Sequence, residues 1–518
     1  MNVVQIVCDT FRRDHLGAYG NPWIRTPNLD RLAGESVVFD RAHTGSFPTL
    51  PHRNDLFTGR YAFRKYSWEA LPAAETPLSA VMSAAGVKTQ LIHDTPHVAS
   101  EGHNYGRGFD GWEWIRGQED EPYRSFPRHP KPPEPKAKYQ EMDQYLRNVS
   151  DRRGEADYFP AKTAAATTPC LKQNAHDGPF FLHVDFFVPH EPFDPPMSYA
   201  RAYPHDRRAA FIKNPLRGLA DVFTAAEIKN IRALYAGEVT LVDKYVGRIL
   251  AAIDRLGLRK NTAVVFTTDH GFYLGDHGIV GKFVPHRGGK GVEQAHYYEE
   301  VAAIPCMIRA PGVRARRSGA LVQPVDLSAT TLELAGLTRT QGSKVSRAAR
   351  LFPAASVLTA AGRKGASATG FDLRKVNGRS LVPLLFGRTD AHRSIAVTGY
   401  SLKFHSPIRA RAAITDGEWT LHYAGRYGDG KQGTLFPEVF AKRTGGYRGE
   451  TTPVLVHLQS DPAQDENLLA AGARMPAGVR VDPWAKAKSL HAAYVKFLEA
   501  IETPEENLAP RRWFPKQP

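Results

Sequence analysis

Short runs rich in β-branched and aromatic residues alternate with helical periodicity through the first half of this chain. That alternation is the sequence sign of an α/β fold built on a mainly parallel sheet. Val3 to Cys8 (VVQIVC) is a continuous apolar run, as expected of a strand covered on both faces. Thr26-Pro27 opens NLDRLAGE, a short helix with proline in its first turn. Thr76-Pro77 opens LSAVMSAAG, closed by Gly86, and KTQLIH follows as the next strand. Pro179 to Val188 (PFFLHVDFFV) is a further strand ending at Pro189-His190. From Thr224 to Leu256 helical spacing is sustained with no proline, and the long helix it predicts feeds the strand TAVVFTTDHG.

Open α/β sheets bind ligands beyond the carboxyl ends of their strands. Asp9 follows the first such strand and Asp269-His270 follows TAVVFTT, so two carboxylates and an imidazole share that placement. Hard oxygen donors suit Ca²⁺, Mg²⁺ or Mn²⁺, and one nitrogen widens the choice toward Mn²⁺ or Zn²⁺. Taken alone, Asp269-His270 reads equally well as a helix cap followed by a turn at Gly271.

At 518 residues the chain exceeds what one hydrophobic core usually serves. The pattern changes accordingly. Thr338 to Lys375 is rich in Ser, Ala, Gly and basic residues and reads as an exposed insertion. After about residue 396 come short strands (SIAVTGY, ARAAITDGEWTLHYA, PVLVHLQ) and an amphipathic helix near WAKAKSLHAAYVKFLEAIE. This predicts a catalytic domain over 1–395, carrying the insertion 338–375, and a small antiparallel subdomain over 396–518. Three cysteines, Cys8, Cys170 and Cys306, cannot all pair and show no metal-ligand spacing. The amino terminus lacks a basic region followed by an apolar one, so the expected location is the cytoplasm, and no stretch suggests a membrane span. The +15 charge, from 68 Lys+Arg against 53 Asp+Glu, is scattered rather than gathered on one helix or arm. It suits an anionic small substrate better than nucleic acid, for which no binding motif is present.

The segment Ser46 to Arg60 (SFPTLPHRNDLFTGR) resembles the sulfatase signature, in which a nucleophile is followed by any residue, proline, a small residue and arginine, with Thr-Gly-Arg shortly after. Thr49-Leu50-Pro51-His52-Arg53 fills the first part and Thr58-Gly59-Arg60 the second; His52 replaces the usual small residue. Further segments resemble the same family in order along the chain. They are Asp9 to Gly17 with Tyr19-Gly20-Asn21, Thr26 to Ala33, Pro189-His190-Glu191-Pro192-Phe193, Thr268-Asp269-His270-Gly271 through Gly281-Lys282, and Leu458 to Leu468.

The resemblance implies an alkaline-phosphatase-like fold, a large mixed, mostly parallel sheet flanked by helices with the smaller antiparallel subdomain behind it. It implies one divalent ion, Ca²⁺ or Mn²⁺ first and Zn²⁺ or Mg²⁺ next, on Asp9, Asp269 and His270 with Thr49 completing the set. It implies Arg53 beside the nucleophile, Lys282 on the ester oxygens, His190 in the substrate pocket and His296 as leaving-group acid; Lys290 is the alternative to Lys282. Three departures stand out. Thr49 replaces the cysteine or serine from which formylglycine is made, so its single hydroxyl would attack directly and leave an ester for water to hydrolyse. Thr10 stands where many sulfatases have a second aspartate. His93-Asp94-Thr95-Pro96-His97 replaces the usual lysine-x-histidine, which makes Thr95 and His97 the substrate-binding candidates.

The expected activity is therefore hydrolysis of a small anionic sulfate ester by Thr49. A phosphodiester or phosphonate monoester hydrolase on the same fold is the first alternative, and a sulfatase-like binding protein without turnover the second. Homo-oligomerisation stays open.

Overall fold

The computed structural model describes residues 1–127, 138–285, 292–294, 296–338, 346–347, 376–402, 411–425 and 453–517. Lys290, and 339–345 and 348–375 of the expected insertion, lie outside the described residues.

An eight-stranded sheet forms the centre of the molecule. Its strands are β1 (Asn2–Cys8), β2 (Val37–Ala42), β3 (Lys88–His93), β4 (Gly111–Trp114), β5 (Phe180–Phe186), β6 (Thr262–Thr268), β7 (Cys306–Arg309) and β8 (Arg316–Val322). They lie in the order β8-β2-β7-β6-β1-β5-β3-β4. Pairing is parallel throughout except at β7, which runs antiparallel to both β2 and β6. The sheet is thus mixed and mostly parallel, as the alternating pattern predicts. All seven residues of β1, of β5 and of β6 are buried, which is what apolar runs at the centre of a two-sided sheet require.

Helices cover both faces. Among them are α1 (Pro27–Gly34), α2 (Thr49–Thr58), α3 (Leu78–Ala84), α4 (Phe159–Asn174), α5 (Ala225–Arg255) and α6 (Pro324–Leu334). The long helix α5 begins where Thr224 accepts a hydrogen bond from the Glu227 amide while Glu227 returns to the Thr224 amide. This reciprocal pair satisfies two of the donors that a helix start leaves open. The apolar face of α5 then packs into the larger core with β1, β5 and β6, through residues such as Leu234, Val242 and Ile249.

A second, four-stranded antiparallel sheet consists of β9 (Ala396–Gly399), β10 (Ala412–Thr415), β11 (Trp419–Tyr423) and β12 (Val454–His457). The helix α7 (Pro483–Ala500), capped by Asp482, packs its Trp484, Leu490, Tyr494 and Leu498 onto it. This sheet is joined to the segment that leads into α2. Gly399 exchanges backbone hydrogen bonds with Gly45 and Phe47 at 3.0 and 2.9 Å, and Thr398 Oγ1 donates to the Thr44 carbonyl at 2.7 Å. The C-terminal sheet therefore braces the loop that positions Thr49.

Candidate active site

The site forms where β1, β5 and β6 end side by side. Register makes this unavoidable. Cys8 pairs with Phe186 on one side and with Thr268 on the other, so Asp9 and Asp269 leave adjacent strands at the same level. The carboxylate oxygens of Asp9 and Asp269 and an imidazole nitrogen of His270 lie within 4.8 Å of one another, all fully buried. Backbone and neighbours orient them. The Thr10 and His270 amides each donate to Asp269 Oδ1 at 2.8 Å, and Thr10 Oγ1 donates to Asp9 Oδ1 at 2.6 Å. His270 Nδ1 donates to the Gly271 carbonyl at 2.9 Å, which fixes the tautomer and leaves Nε2 as a lone pair. Gly271 has to be glycine, because a Cβ there would stand 1.8 Å from the Glu300 carbonyl oxygen.

These residues fit a divalent cation on an observation of their own. His270 Nε2 and Asp9 Oδ2 are buried and make no hydrogen bond, although a charged Arg53 nitrogen lies 3.0 Å from the latter. Buried polar atoms left this way are costly unless something coordinates them. Burial, and then the charge of Asp269, pushes the Asp9 carboxyl well above its ordinary range, as expected of two carboxylates converging on one small space.

Thr49 is the first residue of α2, whose ten residues are all buried despite carrying His52, Arg53, Asn54 and Asp55. A helix this polar is tolerable inside because Arg53, Asn54 and Asp55 have fixed partners and His52 Nδ1 meets the Thr44 hydroxyl, although His52 Nε2 is buried without a hydrogen bond. Asp55 ties the two ends of the segment together, accepting from the Ser46 and Ala62 amides at 2.7 Å each; burial nevertheless pushes its carboxyl up to about 7. Gly59 ends the helix in the left-handed region, at φ 68°.

Arg53 has its fork filled. Nε and Nη2 donate to the two oxygens of Asp185 at 3.0 and 2.7 Å, while Nη1 contacts Asp9 and Asp269. With no exposed surface, Arg53 acts as the internal counter-charge to three carboxylates. Its Nη1 also lies 3.5 Å from the Thr49 carbonyl, so the backbone of the nucleophile candidate adjoins the guanidinium that contacts the paired acids.

Thr49 lines a cavity of about 800 Å³ together with Lys282, His190, His97, Glu119 and Arg217. Lys282 points back into the acid group, its Nζ 3.4 Å from Thr10 Oγ1. His97 Nε2 pairs with Glu119 Oε2 at 2.9 Å, and the His190 ring stacks on Phe187 at 4.0 Å.

Two of the candidates, Thr95 and His296, are not among the described residues that line the cavity. Thr95 is fully buried and its hydroxyl donates to Asp185 at 2.8 Å, which ties it to Arg53 through that carboxylate. The neighbouring Asp94 also turns inward. It accepts from the Phe187 amide at 2.5 Å, and burial pushes it up to about 7. His296 packs against Tyr298 and against His422 of β11, with ring centroids 5.3 and 4.7 Å apart, and is not among the residues lining the cavity. Burial holds it well below the ordinary histidine range.

Sequence reasoning passed over Asp185, Glu119, Glu191 and Arg217. Asp185 had a signal: an ionisable residue inside the apolar run PFFLHVDFFV needs a buried partner. Glu119 had none, because GQEDEP reads as an ordinary polar loop.

Residues 1–337 match the family model for sulfatases. An arylsulfatase of Clostridium perfringens is 27% identical over 339 residues, covering 56% of this chain and 67% of that protein. An ulvan-active sulfatase of Formosa agariphila is 27% identical over 347 residues, covering 65% of this chain and 61% of its own length. The chain thus spans about three fifths to two thirds of these relatives. The phosphonate monoester hydrolase of Agrobacterium radiobacter superimposes with a TM-score of 0.65 at 21% identity, covering 96% of this chain and 95% of that one.

Proposed function

The chain belongs to the sulfatase family, and from that premise we propose that it hydrolyses sulfate esters through attack of the Thr49 hydroxyl. The observation that carries this reading is the convergence of Thr49, Arg53 and the Asp9–Asp269–His270 group beside one cavity lined by Lys282 and His190.

Asp9, Asp269 and His270 would hold the divalent cation, with the Thr49 hydroxyl beside them. When bound, such an ion supplies Lewis-acid stabilisation of negative oxygen and favours the ionised hydroxyl. The chain's own residues do the rest. Thr49 stands at the amino end of α2, where backbone dipoles favour negative charge, and its β-branch restricts the rotamer that presents Oγ. Arg53 keeps the three carboxylates from repelling one another and so holds the group ready for a cation. Lys282 lines the cavity and would meet the ester oxygens, where a fixed positive charge stabilises the negative charge that builds up during attack. His97 and His190 line the same cavity.

Phosphodiesters or phosphonate monoesters are the second reading. It is favoured by one observation, the inward-turned Asp94 where a sulfate-binding lysine is usual in the resemblance. Purified protein of known metal content, assayed on aryl sulfate, aryl phosphate diester and aryl phosphonate, separates the two. Thr49→Ala should abolish turnover on the preferred ester while metal content stays intact, and Thr49→Ser should retain much of it. An alanine variant with undiminished rate, or label recovered on Ser46, would refute the assignment of the nucleophile.

A further inference from the structure

A formylglycine hydrate can expel its bound group with its second hydroxyl. Thr49 has only one, so an ester on Thr49 must be cleared by water, and a base is then needed near it. This requirement rests on the Thr49 reading above. The resemblance supplies His190 for that place, but not Glu119 or Arg217 beside it.

Glu119 follows β4 and has φ of 46°, a backbone conformation that costs a glutamate free energy. Its carboxylate reaches three cavity residues at once: His97 Nε2 at 2.9 Å, His190 Nδ1 at 3.5 Å and Arg217 Nη2 at 3.6 Å. Glu191 closes the other side. Its backbone carbonyl lies 2.6 Å and its Oε2 3.3 Å from the same His190 Nδ1, and its Oε1 accepts from Arg217 Nε.

Burial pushes the Glu119 carboxyl up, but the groups around it, among them His97 and Arg217, outweigh burial and hold it well below its ordinary range; Glu191 is likewise held low. Both carboxylates are therefore ionised at neutral pH. His190 Nδ1 has only acceptors around it and must carry the ring proton, which leaves Nε2 with a lone pair. Burial pushes His190 down to about 4, against the pull of Glu191 and with Lys282 and Arg217 also opposing protonation, so the resting ring is neutral. The ring itself lines the cavity with Thr49.

We propose that His190 is the base that activates water against the Thr49 ester, its tautomer fixed by the Glu191 carbonyl, and that Glu119 is a positioning residue whose charge faces the same nitrogen. Water oxygen bonds to sulfur (or phosphorus) as the bond to Thr49 Oγ breaks. The water proton moves to His190 Nε2, and the electron pair leaves on Thr49 Oγ. The imidazolium, balanced for that moment by Glu119 and Glu191, then returns the proton to Thr49.

The test uses the metal-loaded enzyme and p-nitrophenyl esters with rapid mixing, comparing wild type with His190→Asn and Glu119→Gln. Ester formation on Thr49 does not need the base, so both variants should release a burst of about one p-nitrophenol per enzyme. Steady turnover should then fall by about 100-fold or more for His190→Asn and by less for Glu119→Gln. Mass spectrometry of the quenched variants should find the adduct on Thr49. Loss of burst and steady rate in equal proportion in both variants would overturn the inference, as would an adduct whose breakdown neither variant slows. Undiminished turnover by Thr49→Ala removes the ester itself, and so sinks the underlying reading rather than the role of His190 alone.

Discussion

Replacing Asp185 by asparagine tests the part of the site that no motif announces. Asp185 accepts two hydrogen bonds from Arg53, at 3.0 and 2.7 Å, and one from Thr95 at 2.8 Å, all without access to solvent. Asparagine has nearly the same shape but one acceptor oxygen, so one Arg53 donor must face an N–H. A hydrogen bond to a charged group contributes about 1.5–3 kcal/mol, and stripping a buried charge of its partner costs about 3–5 kcal/mol. Arg53 keeps Asp9 and Asp269 on Nη1, which limits the second cost. Asp185→Asn should therefore lose roughly 2–4 kcal/mol of stability at pH 7.

Arg53, counted after burial among the influences on Asp185, holds that carboxyl well below its ordinary range. A carboxyl depressed in the folded state stabilises fully above its unfolded pKa, about 3.9, and loses that contribution as pH falls toward the folded value. The gap between wild type and variant should hold steady from pH 7 to about pH 5 and close below about pH 4. Urea unfolding followed by tryptophan fluorescence reads this, provided the slope with urea is unchanged, so that the midpoint shift is a stability shift. A gap under about 0.5 kcal/mol at pH 7, or one that widens on acidification, would refute the claim that Asp185 serves as Arg53's counter-ion.

Chelation should abolish activity and lower the thermal midpoint, because the cation binds only the folded arrangement of Asp9, Asp269 and His270; calorimetry with and without chelator checks it. Full activity after verified metal loss would remove those residues as ligands. Gly271→Ala should destabilise by about 1–3 kcal/mol and cut metal occupancy, since its Cβ would overlap the Glu300 carbonyl beside His270. Equal metal content and midpoint in that variant would show that the close approach is not needed.

Most of the frame was legible because it is local. A capping pair at Thr224 and Glu227, apolar runs ending at Asp9 and Asp269, and proline at the start of α1 act within a few residues, and each element lies where those signals put it. The convergence of Asp9 with Asp269-His270 was legible too, since parallel strands that neighbour one another end at the same level. Three things were not. The antiparallel β7 is an apolar strand like the others, and only its partners at Val38 and Phe266 set its direction. Thr95 was read from its neighbourhood in sequence, whereas its hydroxyl answers to a carboxylate 90 residues away. Glu119 reaches the cavity through a backbone conformation that its loop sequence does not encode.

The departures from the family pattern cohere once charge is followed through the site. Thr10 in place of an aspartate removes one negative charge beside the cation position, and its hydroxyl instead donates to Asp9. Asp94 in place of a lysine removes a positive charge from the cavity wall and commits its carboxylate to the Phe187 amide. Asp185 lies on the opposite side of Arg53 from Asp9 and Asp269 and holds Nε and Nη2 of its guanidinium. Lys282 and Arg217 are the positive side chains of the cavity besides Arg147, and Arg217 is itself held by Glu119 and Glu191.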